Sequence, residues 1–152
     1  MNTKILFPAI AAFLLAIMSV YFIANPSYRK SIEAKYYFEI GDYKEAYSLA
    51  NEAFSIDVYN RMASTIMAQS KTSLKYVEYI ETAKEYMKQI NEIAKSKENI
   101  SDAQKAKMRL MSQIMVESYV KLAPSIITDS DLVEEAARYY KNFEKLLEKV
   151  SQ

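Results

Sequence analysis

A single glycine and three prolines serve all 152 residues, and that scarcity limits the fold more than any motif in the chain. Sheets and tight turns depend on residues that reach positive φ or hold φ fixed, and the usual share of both is several times higher. A chain with so few places to turn is left with long helices and few connections. The expected fold class is therefore all-α. About half the residues are apolar (51%), so a core remains affordable even after a membrane segment is set aside.

Residues 5–24 carry no charge over 20 positions. At 1.5 Å per residue a helix of that length matches a hydrocarbon layer of roughly 30 Å. Lys4 precedes the run, Tyr21 and Phe22 lie near its far end, and Tyr28, Arg29 and Lys30 follow, in the order expected of anchors at a membrane interface. A cleaved signal peptide is the competing reading, but the apolar run exceeds a usual h-region, and Tyr21, Phe22 and Ile23 stand where small residues should precede the cut. Residues 1–25 are thus expected to be a single-pass anchor, with a helical domain over 26–152. Counting Lys and Arg near the span (Lys4 against Arg29, Lys30, Lys35 and Lys44) puts that domain in the cytoplasm. A short Lys-bearing tail also begins many anchors whose domain is exported, so the periplasmic side stays open. Usage leaning to Lys, Ile and Asn is compatible with an AT-rich bacterial genome, which makes the membrane a bacterial inner membrane.

Local signals then divide the domain. Asn25-Pro26 reads as an N-cap with Pro at the first helical position, where its missing N–H costs nothing. The helix it opens should run to Ile40, with Gly41 ending it in the left-handed conformation. Asp42 is placed to cap the next helix, whose apolar positions Tyr43, Ala46, Tyr47, Leu49, Ala50, Ala53 and Phe54 keep helical spacing. Two further helices are expected over 58–73 and 75–96, the second with the stripe Val77, Ile80, Ala83, Met87, Ile90 and Ala94. Lys95–Asn99 reads as a loop. Ser101 with Gln104 forms a capping box for a helix carrying Met108, Met111, Met115, Tyr119 and Leu122 and ending near Pro124. Thr128–Asp131 caps a last helix with Leu132, Ala136, Tyr140, Phe143, Leu147 and Val150 on its inner face. The expectation is about three helical hairpins behind one membrane helix.

The hairpin over 27–60 carries a resemblance. A small residue at Ala34, then Tyr37, Gly41-Asp42-Tyr43, Glu45-Ala46, Ala53-Phe54, Ile56-Asp57 and Asn60, resembles the tetratricopeptide repeat, a unit of about 34 residues. Val58 stands where that family usually has Pro, and Lys30 where it has a large aromatic residue. A second unit from Arg61 is degenerate: Ala68 fits the small position, but Lys75 replaces the turning glycine. The resemblance implies a short, irregular superhelical stack with the last helix as its cap. It also implies a protein- or peptide-binding groove lined by the first helix of each pair. On this chain that groove side comprises Tyr28, Ser31, Ile32, Lys35, Phe38 and Glu39, with Asn60 at the junction and Ser64, Thr65, Ala68 and Lys71 on the next helix.

Composition argues against other chemistry. The chain has no cysteine and no histidine, which removes disulfides, thiolate metal sites and the commonest general base together. One glycine cannot build a phosphate-binding loop. Glu78, Glu81, Glu85, Glu134 and Glu135 lie on helices among Lys84, Lys88 and Lys141 and read as solvated faces rather than catalytic pairs. A formal net charge of +1 offers no field for nucleic acid. No enzyme activity, cofactor or metal is expected. The methionines at 108, 111 and 115 read as core, and the 13 tyrosines as core in part and interface in part. The function these readings point to is a membrane-anchored interaction module, acting as scaffold, adaptor or assembly factor for a membrane complex. A structural subunit of a larger envelope assembly, such as a secretion or motility machine, is the alternative.

Overall fold

The computed structural model describes residues 3–95, 100–126 and 128–151, with the backbone alone for residues 3–5, 22, 23 and 151. Among them the chain forms six α-helices and no strand: α1 Thr3–Ala24, α2 Pro26–Glu39, α3 Tyr43–Ile56, α4 Arg61–Lys95, α5 Asp102–Val120 and α6 Ser130–Ser151. The all-α expectation holds, and the reason is visible at each boundary.

Every break falls where a side chain takes over an orphaned backbone group. Asn25 accepts from the Ser27 N–H at 2.9 Å and opens α2 at Pro26. Gly41, at φ +83°, closes that helix. Its N–H donates to the Phe38 carbonyl and the Asp42 N–H to the Tyr37 carbonyl, at 3.2 and 2.9 Å. This paired arrangement satisfies the last carbonyls of α2. The Asp42 carboxylate accepts from the Glu45 N–H at 3.1 Å and starts α3. Ser101 and Gln104 form the reciprocal capping box on α5. Asp129 accepts from the Asp131 N–H at 2.9 Å ahead of α6. The loop expected at Lys95–Asn99 lies, after Lys95, outside the described residues.

The break that fails to form is the one expected between 73 and 75. Residues 61–95 make a single helix of 35 residues, about 50 Å long at the α-helical rise. Nothing in this stretch is a glycine or proline, and Lys75, placed where a repeat would turn, is a good helix former. The middle hairpin is therefore replaced by one continuous helix. Ala68, which fits the small position of a second repeat, is exposed.

The chain clusters into two compact units, Met1–Ser70 and Lys71–Gln152. In the first, Ala34, Ala46, Leu49, Ala50 and Ile66 form the core, with Tyr37, Phe38 and Met67 packed against them. Ala34, Ala46, Ala50 and Ala53 are wholly buried; side chains this small let backbones approach closely. In the second, Tyr76, Tyr79, Ile80, Ala83 and Ile90 of α4 meet Met108, Met111 and Met115 of α5 and Ala136 and Phe143 of α6. The methionines are core, as their spacing suggests. Ala94 is exposed, and Ile93 is the half-buried residue at that end of α4.

Helix α1 differs from the rest. From Phe7 to Tyr21 every side chain is exposed, on all sides of the helix. Its hydroxyl at Ser19 donates to the Leu15 carbonyl at 2.8 Å and is satisfied within the helix. Among the described residues no single helix is long and apolar enough to cross a membrane. Leu6–Tyr21 and Pro26–Glu39 reach that mark only together, and they are bent by 83°.

Candidate functional site

The surface that sequence singles out belongs to α2 and the start of α4, and a buried polar network decides which of its residues face outward. Ser27 and Ser31 sit one turn apart on the α3-facing side of α2 and, with Asn60, are completely buried. The Ser27 hydroxyl donates to the Ala53 carbonyl of α3 at 2.8 Å. The Asn60 amide donates to the hydroxyls of both Ser27 and Ser31, each at 2.8 Å. Its oxygen accepts from the Ala63 N–H at 3.1 Å and so caps α4. Ser31 in turn donates to the Ser27 carbonyl at 3.0 Å. One asparagine thus ties α2 to the beginning of α4, and a serine ties α2 to the end of α3.

This network takes Ser31 and Asn60 out of any surface groove, since their polar groups are consumed inside. Phe38 is half-buried, its ring 5.4 Å from that of Tyr43 in an edge-on arrangement, and serves mainly as packing. Tyr28 is half-buried with its ring 6.4 Å from Tyr21. Ile32, Lys35 and Glu39 are exposed, and the Lys35 amine lies 3.6 Å from the Glu39 carboxylate. On α4, Ser64, Thr65 and Ala68 are exposed, on the side opposite Ala63, Ile66 and Ser70. Lys71 is exposed but falls in the second unit. The open part of the candidate surface is thus Tyr28, Ile32, Lys35 and Glu39 on α2, and Ser64, Thr65 and Ala68 on α4.

Two features lie outside the expected set. Lys30 of α2 bonds Glu52 of α3 at 2.6 Å. That hydrogen bond, with the Glu52 charge and a smaller contribution from Glu33, raises the lysine's pKa above its ordinary value. The pair clamps the α2–α3 hairpin from outside. A concavity of about 680 Å³ lies over the outward face of α2, lined by Pro26, Arg29, Lys30, Ile32, Glu33 and Tyr36. The stripe Ile32, Tyr36, Ile40 at i, i+4, i+8 was available in sequence as its signature.

No family model, curated protein or solved structure matches the chain.

In the second unit the polar groups serve packing more than chemistry. Glu135 of α6 is held between Lys84 of α4, at 3.1 Å, and Arg138, at 3.8 Å. It pairs both across helices, with Lys84, and within α6, with Arg138. Tyr119 stacks on Tyr140 with ring centres 4.5 Å apart. Tyr140 donates to Glu144 at 2.9 Å; that bond, then burial, raises its pKa. Burial likewise pushes the Tyr79 hydroxyl well above its ordinary value. Among the described residues no three carboxylates gather as a metal ion would require.

Proposed function

We propose that the chain is a single-pass membrane protein whose helical domain, built on a tetratricopeptide-like hairpin, binds another protein as scaffold, adaptor or assembly factor for a membrane complex. The observation that carries the reading is the charge-free, almost wholly apolar circumference of α1 from Phe7 to Tyr21, exposed on every side. A helix with no polar face has nothing to offer water, and it is covered by lipid or by protein. The single-pass reading leans on the charge-free run of residues 5–24 in the sequence, since the described part of α1 by itself falls short of a span. The repeat-like part of the reading is supported by Ala34, Ala46 and Ala53, small residues of the resemblance that are wholly buried, and by Gly41 at its turn.

Anchoring confines the exposed surface around Lys35 to the membrane plane, and a weak contact then gains from the raised effective concentration of membrane partners. The same reading places the protein in a bacterial inner membrane with its domain in the cytoplasm, and assigns it no catalysis. The experiment is photocrosslinking in native cells from position 35, exposed on α2, with position 141, exposed on α6, as control. A discrete protein adduct from 35 alone is expected, and the partner's compartment gives the side of the membrane. Adducts from both positions would indicate a subunit buried in a larger assembly. Absence of an adduct from 35 would remove α2 as the binding surface.

A further inference from the structure

The outward face of α2 is not the face of an ordinary soluble helix. Its inward side is Ser27, Ser31 and Ala34, all wholly buried. On the opposite side, positions 29, 32, 36 and 40 follow at intervals of three and four and make one continuous stripe. Ile32 is 54% exposed, Tyr36 60% and Ile40, at the C-cap, 58%, with Arg29 at the head of the row. Two isoleucines and a tyrosine left in water along one line, led by an arginine, form an apolar stripe with a cationic end.

What covers this stripe follows from where α2 is tied. A single residue, Asn25, separates it from α1, and the two helices are bent by 83°. If α1 stands across a bilayer, α2 begins at the bilayer surface and runs nearly parallel to it. Helix α3 packs against the face of α2 opposite the stripe, where Ser27 bonds the Ala53 carbonyl. Helices held this way bury aliphatic and aromatic side chains about 5–10 Å into the boundary between headgroups and acyl chains, with cations reaching lipid phosphates. We propose that α2 lies along the membrane interface, with Ile32, Tyr36 and Ile40 set into the headgroup layer and Arg29 meeting lipid phosphate. The inference rests on the anchor reading of α1.

The concavity over this face, about 680 Å³ and lined in part by Arg29, Ile32 and Tyr36, is the space a headgroup fills. Tyrosine suits the position because its ring is apolar and its hydroxyl wet. Glu33 stands on the shoulder of the stripe, where the Lys30 ammonium offsets its charge. Lys35 and Glu39 flank the other shoulder and stay in water as an exposed pair. The arrangement fixes the domain's roll about α2, so that the Lys35 side looks along the membrane rather than away from it.

The test exploits the absence of cysteine. Single variants Ile32→Cys, Tyr36→Cys and Ile40→Cys of the full chain carry a nitroxide in phosphatidylglycerol–phosphatidylcholine vesicles. Phe13→Cys in α1 and Ser48→Cys on the outer side of α3 serve as references. Collision with oxygen, which concentrates in lipid, is read against collision with an aqueous nickel chelate. The expected oxygen-to-nickel ratio at 32, 36 and 40 is several-fold above that at 48 and below that at 13. Labels at 32, 36 and 40 matching 48, with 13 deep in the bilayer, would overturn the inference and leave the anchor standing. An aqueous reading at 13 as well would remove both. Shielding of 32 and 36 from both reagents would mean that protein, such as a second copy, covers the stripe, and would also overturn it.

Discussion

Asn60→Ala should unfasten the first unit without touching the second, and the cost can be worked from its bonds. The side-chain oxygen caps α4 through the Ala63 N–H, and losing a cap of this kind costs about 1 kcal/mol. The amide makes two further bonds, to the Ser27 and Ser31 hydroxyls, and each contributes roughly 0.5–1.5 kcal/mol net. Both serines keep their own donated bonds, to the carbonyls of Ala53 and Ser27, so no buried hydroxyl loses its donor bond. The sum is about 2–4 kcal/mol, a fall in protection of roughly a hundredfold. Hydrogen exchange on the full chain in lipid vesicles measures it locally. Peptides covering α2, α3 and the start of α4 should lose protection, while those covering α5 and α6 keep theirs. Asn60→Ser retains the cap but not the reach to the two serines, so the gap between the two variants isolates the cap. A loss below about threefold, or an equal loss in α5 and α6, would show that the network does not hold the hairpin.

Gly41→Ala should cost about 1–2 kcal/mol, because the residue sits at φ +83° while its added Cβ meets nothing within 4 Å; exchange in the α2–α3 turn would report it, and Gly41→Asn should cost less. Phe143→Ala, at a completely buried position, should destabilise the second unit by about 3–5 kcal/mol, seen as faster exchange in α5 and α6 but not in α2 and α3. Among the described residues the buried Tyr79 hydroxyl has no hydrogen-bond partner, so Tyr79→Phe should be neutral or stabilising near pH 7 in denaturant titration. The same residue gives a pH dependence with a definite sign. Its pKa is raised in the folded protein, so the proton is held more tightly folded than unfolded. That stability is fully present below about pH 10, the ordinary tyrosine value, and is lost as pH rises above it. Tyr79→Phe should flatten the alkaline fall, and an unchanged slope would refute the assignment. Lys35→Glu should leave stability nearly unchanged, since an exposed pair contributes well under ~1 kcal/mol, yet should reduce the partner adduct formed from a photocrosslinker placed at exposed Ser64.

The parts legible in sequence were those whose physics closes within a few residues. Asn25-Pro26, Gly41-Asp42, Ser101 with Gln104, and Asp129 all act through side-chain or backbone bonds to groups two to five positions away, and each boundary fell where they put it. The methionines of α5 were legible too, because helical spacing already gathers Met108, Met111 and Met115 on one face. The continuity of α4 was misjudged by a different route. A repeat length carried forward from residues 27–60 asks for a turn near Lys75, but backbone geometry turns only where a residue permits or forces it. No glycine, proline or capping signal stands there, and hydrogen bonding along the helix continues by default.

The candidate surface was legible only in part, since a residue's side of a helix can be read from spacing while its partners cannot. Lys35, Ile32 and Glu39 lie outward as their positions suggest. Ser31 and Asn60 were placed at the groove by the repeat resemblance, yet each is buried because a partner 29 positions away in the chain satisfies it. Sequence by itself determined that this chain is helical, where most of its helices begin and end, and that its first helix is apolar all round. Tertiary structure alone decided which polar residues become core, because burying a hydroxyl or amide depends on donors and acceptors that only the folded chain brings within 3 Å.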